Sequence, residues 1–220
     1  MRTFWSALLL LFLAACQSQA VTFQPAPTSQ SSLAPEHRLA FTRQADWLRT
    51  PDGKNFTGKG VISDPCVLFD GGRYRMWFTA ARHAYASDQE LGTAYAESTD
   101  GITWQPRLEA GTDEPDLLLR PTPGGWDAGG VETPHVVRRP DGTYLLFYTG
   151  TLAKEANRWA IGAATSPDGL TWTKVGDGPV FSGQGGWEGP FADGQEQTGG
   201  VLEPSVLFNP DLQRYQMWYA

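Results

Sequence analysis

The sequence predicts an all-β chain built from the repeated four-stranded blades of a β-propeller, and three observations carry that prediction. Glycine (25) and proline (16) in 220 residues stand well above the roughly 12% usual for the pair, so tight turns are frequent. Three segments align around a proline: SDPCVLFDGGRYRMWFTA (63–80), ETPHVVRRPDGTYLLFYTG (132–150) and EPSVLFNPDLQRYQMWYA (203–220). Pro65, Pro134 and Pro204 are spaced by 69 and 70 residues, and Tyr74, Tyr144 and Tyr215 by 70 and 71. A second pair, STDGITW (98–104) and SPDGLTW (166–172), lies 68 apart. Coincident spacings near 70 mark an internal repeat.

Each repeat reads as an antiparallel sheet. A first strand (Cys66–Phe69, His135–Arg138, Ser205–Phe208) meets a turn on Asp70-Gly71-Gly72, Pro140-Asp141-Gly142 or Asn209-Pro210-Asp211, the chemistry of hairpins. The second strand is aromatic and β-rich (Tyr74–Thr79, Tyr144–Thr149, Tyr215–Tyr219). After a variable loop comes a third strand of small residues (Thr93–Glu97, Ile161–Thr165), then an Asp-Gly turn and a fourth strand carrying Trp104 or Trp172. Four strands at a fixed period describe a propeller blade, and the recurrent tryptophans are expected to wedge between blades.

The first 38 residues are of another kind. A basic start at Met1-Arg2 and an apolar run from Phe4 to Leu13 read as a signal-peptide core, too short to span a bilayer. Leu13-Ala14-Ala15-Cys16 resembles the lipobox of bacterial lipoproteins, which implies removal of residues 1–15, lipidation of Cys16 and a mature charge of −8. The alternative is an ordinary signal peptide cut after Ala15 or Ala20. Residues 16–38, rich in Gln, Ser, Ala and Pro, read as a flexible tether, leaving 39–220 as the blade-forming domain. The expected location, after export, is a membrane surface of the bacterial cell envelope, held through the N-terminal lipid.

Composition narrows the partners. Charged residues make up 19% and apolar ones 40%, which excludes a disordered acidic chain, and a net charge of −7 repels phosphate backbones and disfavours nucleic acid. There is no CxxC, HExxH, GxxxxGK[ST] or strand-associated GxGxxG, so zinc and nucleotide binding have no sequence basis. The acids of GTDEPD (111–116) lack the ligand pattern of an EF-hand. Cys66 is expected to be a small buried apolar residue.

From about residue 40 the chain offers some two and a half blades, whereas the smallest propellers have about four, so the ring is expected to continue past Ala220 and to be a monomer when complete. Innermost strands face the central channel. Asp64 precedes Pro65 and Glu203 precedes Pro204, while blade two has Thr133 there and Glu132 one position earlier. Paired acids converging on one pocket suit glycoside cleavage, one protonating the departing oxygen and the other activating water or attacking the anomeric carbon.

With Asp-Pro in the first blade, an acid in the second and Glu in the third, the pattern resembles the five-bladed propeller glycosidases of families 43, 62 and 32, over residues 56–220. The resemblance implies a five-bladed fold and a carbohydrate substrate of arabinose, xylose or fructose type, with Asp64 as general base or nucleophile and Glu203 as general acid. Glu132 would be the acid that tunes them, although a one-residue shift in a regular strand turns a side chain to the opposite face, and Asp127 is the substitute candidate. Trp126, Asp127 and His135 are the candidate substrate-binding residues. No cofactor is implied, though an axial calcium is compatible with the family. A non-catalytic glycan-binding propeller, a mannoside phosphorylase-like propeller and a sialidase-like one are alternatives, the last suggested by STDGITW and SPDGLTW, which resemble an Asp-box lacking one residue.

Overall fold

A computed structural model describes residues 61–83, 86, 89–152, 158–185, 188 and 199–220; the leader, Cys16, the tether and Trp187 lie outside these residues. The first blade is the antiparallel sheet β1 (Ile62–Asp70), β2 (Arg73–Arg82), β3 (Glu90–Ser98) and β4 (Gln105–Pro106), in that order. The second has β5 (Gly130–Arg138), β6 (Tyr144–Thr151), β7 (Arg158–Ser166) and β8 (Thr173–Lys174), with β9 (Gly199–Gly200) pairing parallel to β7. β10 (Ser205–Asn209) and β11 (Arg214–Trp218) form a third, two-stranded sheet. All the elements among the described residues are strands, as the repeat predicts. The fourth strands are two-residue stubs, and Trp104 and Trp172 stand just before them rather than within them.

Register explains the uneven spacings in the sequence. Cys66 pairs with Trp77, His135 with Phe147 and Ser205 with Trp218, so these three positions are equivalent. The hairpin turns then grow by one residue per blade, from Asp70–Arg73 through Arg139–Thr143 to Asn209–Arg214. In β6, alternation divides the sheet faces. Tyr144, Leu146 and Tyr148 join Trp77 and Tyr95 of the first blade in one buried cluster, while Thr149 and Thr151 face the third sheet. Trp172 packs edge-on against Trp77 across the blades, 6.5 Å between centroids, whereas Trp104 packs on its own sheet beside Met76 and Phe78. Among the described residues Trp172 is thus an inter-blade wedge, while no blade preceding that of Trp104 is described.

Arg75 ties the first two blades together. It is buried, donating from Nε to the Tyr95 hydroxyl (3.0 Å), from one terminal nitrogen to the Tyr144 hydroxyl (2.7 Å) and from the other to the Asp168 carbonyl (2.6 Å). That carbonyl belongs to the Asp-Gly turn of blade two. The turn is held by its own acid: Asp168 accepts the N–H groups of Leu170 and Thr171 and the Ser166 hydroxyl, and Asp100 repeats the pattern in blade one. The Thr171 N–H above all draws the Asp168 pKa down to about 2. A carboxylate held below its unfolded value adds stability above pH ~4 that is lost as pH falls toward 2. An Asp168→Asn variant is expected to melt lower than wild type at pH 7 and to converge on it by pH 2, read by circular dichroism melts; parallel pH profiles would exclude the role.

Candidate active site

The residues that precede the three prolines share one backbone conformation. Asp64, Thr133 and Glu203 have φ of 54°, 48° and 54°, in the left-handed region that non-glycine residues rarely enter and a β-branched threonine least of all. In β1 and β5 the ladder skips two residues here, between Ser63 and Cys66 and between Glu132 and His135. Such a bulge accommodates a proline that cannot donate to the ladder. Strain of about 1–3 kcal/mol per site, repeated in every blade, is the kind retained where side chains are aimed for function.

What offsets the strain is a threonine of the preceding blade. The Thr133 N–H donates to Oγ1 of Thr79 and the Glu203 N–H donates to Oγ1 of Thr149, each at 2.9 Å. A second inter-blade joint uses the residue after each proline. Cys66 Sγ accepts from the Val136 N–H at 3.2 Å, and His135 Nε2 meets the Val206 carbonyl at 2.8 Å. The inner strands thus stand side by side as β1, β5, β10, with Asp64 and Glu203 at matching positions at the same end, both solvent-exposed.

Glu132 requires a correction. Alternation predicts that its side chain faces away from that of its neighbour, but Thr133 Oγ1 lies 2.6 Å from Thr149 Oγ1 while Thr151 Oγ1 donates to Glu132 Oε1 at 2.9 Å. Thr149 and Thr151 are two apart in β6 and share a face, so consecutive residues of β5 reach the same face. The bulge breaks the period-two rule. Glu132 therefore lies over the same face of β6 that anchors the Glu203 backbone.

The remaining candidates make specific contacts with neighbouring elements. Asp127 is 0% exposed, and accepts from Lys174 Nζ (2.5 Å), the Thr122 N–H (3.0 Å) and the Tyr148 hydroxyl (3.0 Å). Burial pushes its pKa up, but the Lys174 and backbone hydrogen bonds outweigh this and hold it below the usual carboxylate value. Trp126 stacks on Tyr148 at 5.8 Å, tight against Gly150, where an added Cβ would sit 2.3 Å from the indole. Burial lowers the His135 pKa, partly countered by its bond to Val206. Of these three, Asp127 is buried, whereas Trp126 and His135 are half-buried.

Asp127, closing on Tyr148 and Lys174, forms a latch whose acid–tyrosine bond recurs before the third sheet, where Glu188 accepts from the Tyr219 hydroxyl at 2.6 Å and the Gln184 N–H at 2.7 Å. Blade one has Phe78 at the Tyr148 position and no Trp-acid pair in the stretch before it. That covariation within one chain is a sequence signal for the latch. Thr149, Thr151, Lys174 and Arg75 escape sequence reasoning because their partners lie on other elements. Cys66 is half-buried, with burial raising its thiol pKa. A calcium ion needs six to eight oxygens, and no group of three or more acidic, histidine or cysteine side chains converges among the described residues.

No protein-family model matches the chain. Over 117 residues it is 32% identical to the uncharacterized protein Rv1502 of Mycobacterium tuberculosis, covering 52% of this chain and 34% of that one, so it spans about a third of that relative. Among solved structures it resembles Zg3597, a family 117 glycoside hydrolase from Zobellia galactanivorans (TM-score 0.56, 19% identity, 78% of this chain and 51% of the other). It also resembles fructan 1-exohydrolase IIa of Cichorium intybus (TM-score 0.53, 17% identity, 72% and 27%). A glycosyl hydrolase of Bacteroides ovatus is similar too (TM-score 0.52, 20% identity, 72% and 43%). The three sheets of the described residues have the β-propeller blade fold seen in these solved structures. Fold alone leaves the chemistry to be argued from the site.

Proposed function

We propose that the protein is an exported, lipid-anchored glycoside hydrolase that cleaves arabinose-, xylose- or fructose-type oligo- or polysaccharides with paired carboxylates. The observation that supports the reading is the strained backbone conformation shared by Asp64, Thr133 and Glu203, which puts an acid at the equivalent position of blades one and three. Asp64 serves as base or nucleophile and Glu203 as the acid that protonates the leaving oxygen. Glu132, held by the Thr151 hydroxyl on the face of β6 that anchors the Glu203 backbone, would orient the pair.

The test is hydrolysis of 4-nitrophenyl arabinosides, xylosides and fructosides by the full chain. Turnover of at least one is expected, with loss in Asp64→Asn; equal rates in the variant would assign the chemistry elsewhere. Thr133 in the blade-two position favours a second reading, a propeller that binds glycans without cleaving them. Binding with no hydrolysis of any of these substrates would select it.

The lipid anchor has its own test. Radiolabelled palmitate should enter the protein in cells and be lost in Cys16→Ala; label retained in that variant would overturn the lipoprotein assignment.

A further inference from the structure

The mouth of the second blade differs from that of the first at the same register positions. In blade one the last residue of β2, Arg82, stands opposite Glu90 and fills the corner with ion pairs to Glu90 (3.0 Å) and Glu109, while Arg120 also reaches Glu90 (2.7 Å). In blade two the corresponding pair is Leu152 and Arg158, joined by a backbone bond of 2.9 Å. Here the corner is a cavity of about 180 Å³ lined by Leu152, Arg158, Trp159, Ser182, Gly199 and Gly200 among others.

We propose that this cavity is a subsite for a further sugar unit of the substrate chain, an inference that rests on the glycosidase reading. Its position supports this. Trp159 stands opposite Thr151, whose hydroxyl holds Glu132, and beside Gly200, three residues before Glu203. Gly200 is indispensable there, because an added Cβ would lie 2.0 Å from the Trp159 carbonyl oxygen. The lining combines an aromatic ring, a hydroxyl and glycine backbone, matching a sugar with one apolar C–H face and a rim of hydroxyls. The volume is below the roughly 300–1,000 Å³ of pockets that engulf whole drug-sized ligands, in keeping with one ring.

Calorimetric titration of the full chain with arabinotriose, xylotriose and 1-kestose, and with the corresponding monosaccharides, tests the subsite. Trp159→Ala is expected to weaken binding of the preferred trisaccharide roughly tenfold and leave the monosaccharide unchanged. Trp159→Phe should keep trisaccharide affinity within about threefold, and Leu152→Trp, which fills the cavity from an exposed position, should weaken it like Trp159→Ala. Wild-type protein that binds no trisaccharide better than its monosaccharide, or variants that bind as wild type does, would overturn the subsite. Aryl monoglycoside hydrolysis in the same samples separates the two readings. Activity without Trp159-dependent binding fails the subsite alone, and Trp159-dependent binding without activity fails the hydrolase reading alone.

Discussion

Glu203→Gln should lower turnover of an oligosaccharide about 10²–10⁴-fold yet have far less effect on a dinitrophenyl glycoside. The difference follows from the role of a general acid, whose contribution is of that order and vanishes when the leaving group needs no proton. Asp64→Asn should depress both substrates alike, because base or nucleophile is required whatever departs. Backbone collapse cannot imitate the split. The Glu203 amide is tethered to Thr149, and glutamine keeps that N–H, so the bulge survives the substitution. Steady-state kinetics on the two substrate types decide the matter: equal losses for Glu203→Gln on both would remove Glu203 from the acid role.

Lys174→Met should destabilise the domain by about 3 kcal/mol, the low end of the cost of orphaning a buried charge. Asp127 is 0% exposed and Lys174 only 20%, so the carboxylate would remain in the latch without its cation. The Tyr148 hydroxyl and the Thr122 N–H still reach it, which keeps the loss near 3 rather than 5 kcal/mol. The pH dependence has a definite sign. In wild type the Asp127 pKa lies below its unfolded value, so its contribution is present above pH ~4 and fades as pH falls through the native value. Without Lys174, burial would dominate and raise that pKa, so the variant would lose stability as pH rises through it. Urea unfolding should therefore show the gap widest at pH 7 and narrowing toward pH 4; a constant gap would mean that the ion pair contributes nothing through charge.

Much of the fold was legible because its determinants are local. Gly71 and Gly72 after Asp70, and Asp141-Gly142 after Pro140, specify hairpin turns through their own backbone freedom and side-chain hydrogen bonds, and alternating apolar residues between such turns specify strands. The proline spacing placed Asp64 and Glu203 at equivalent starts of inner strands. The side-chain direction that alternation assigns to Glu132 failed for an equally local reason, since alternation holds only in a regular strand and Thr133 is left-handed.

By itself the sequence determined that the chain repeats about every 70 residues as four-stranded units, and that two of three units carry an acid before the proline. Tertiary structure decided what the surrounding side chains are for. Asp127 and His135 look alike as polar residues near a strand start, but one closes a latch with Lys174, 47 residues away, and the other joins β5 to β10 across 71. Thr149 looks like any β-branched strand residue until Glu203, 54 positions on, hangs its amide from it. Short-range chemistry is written in neighbouring residues, whereas burial and hydrogen-bond partners arise only when sheets pack face to face.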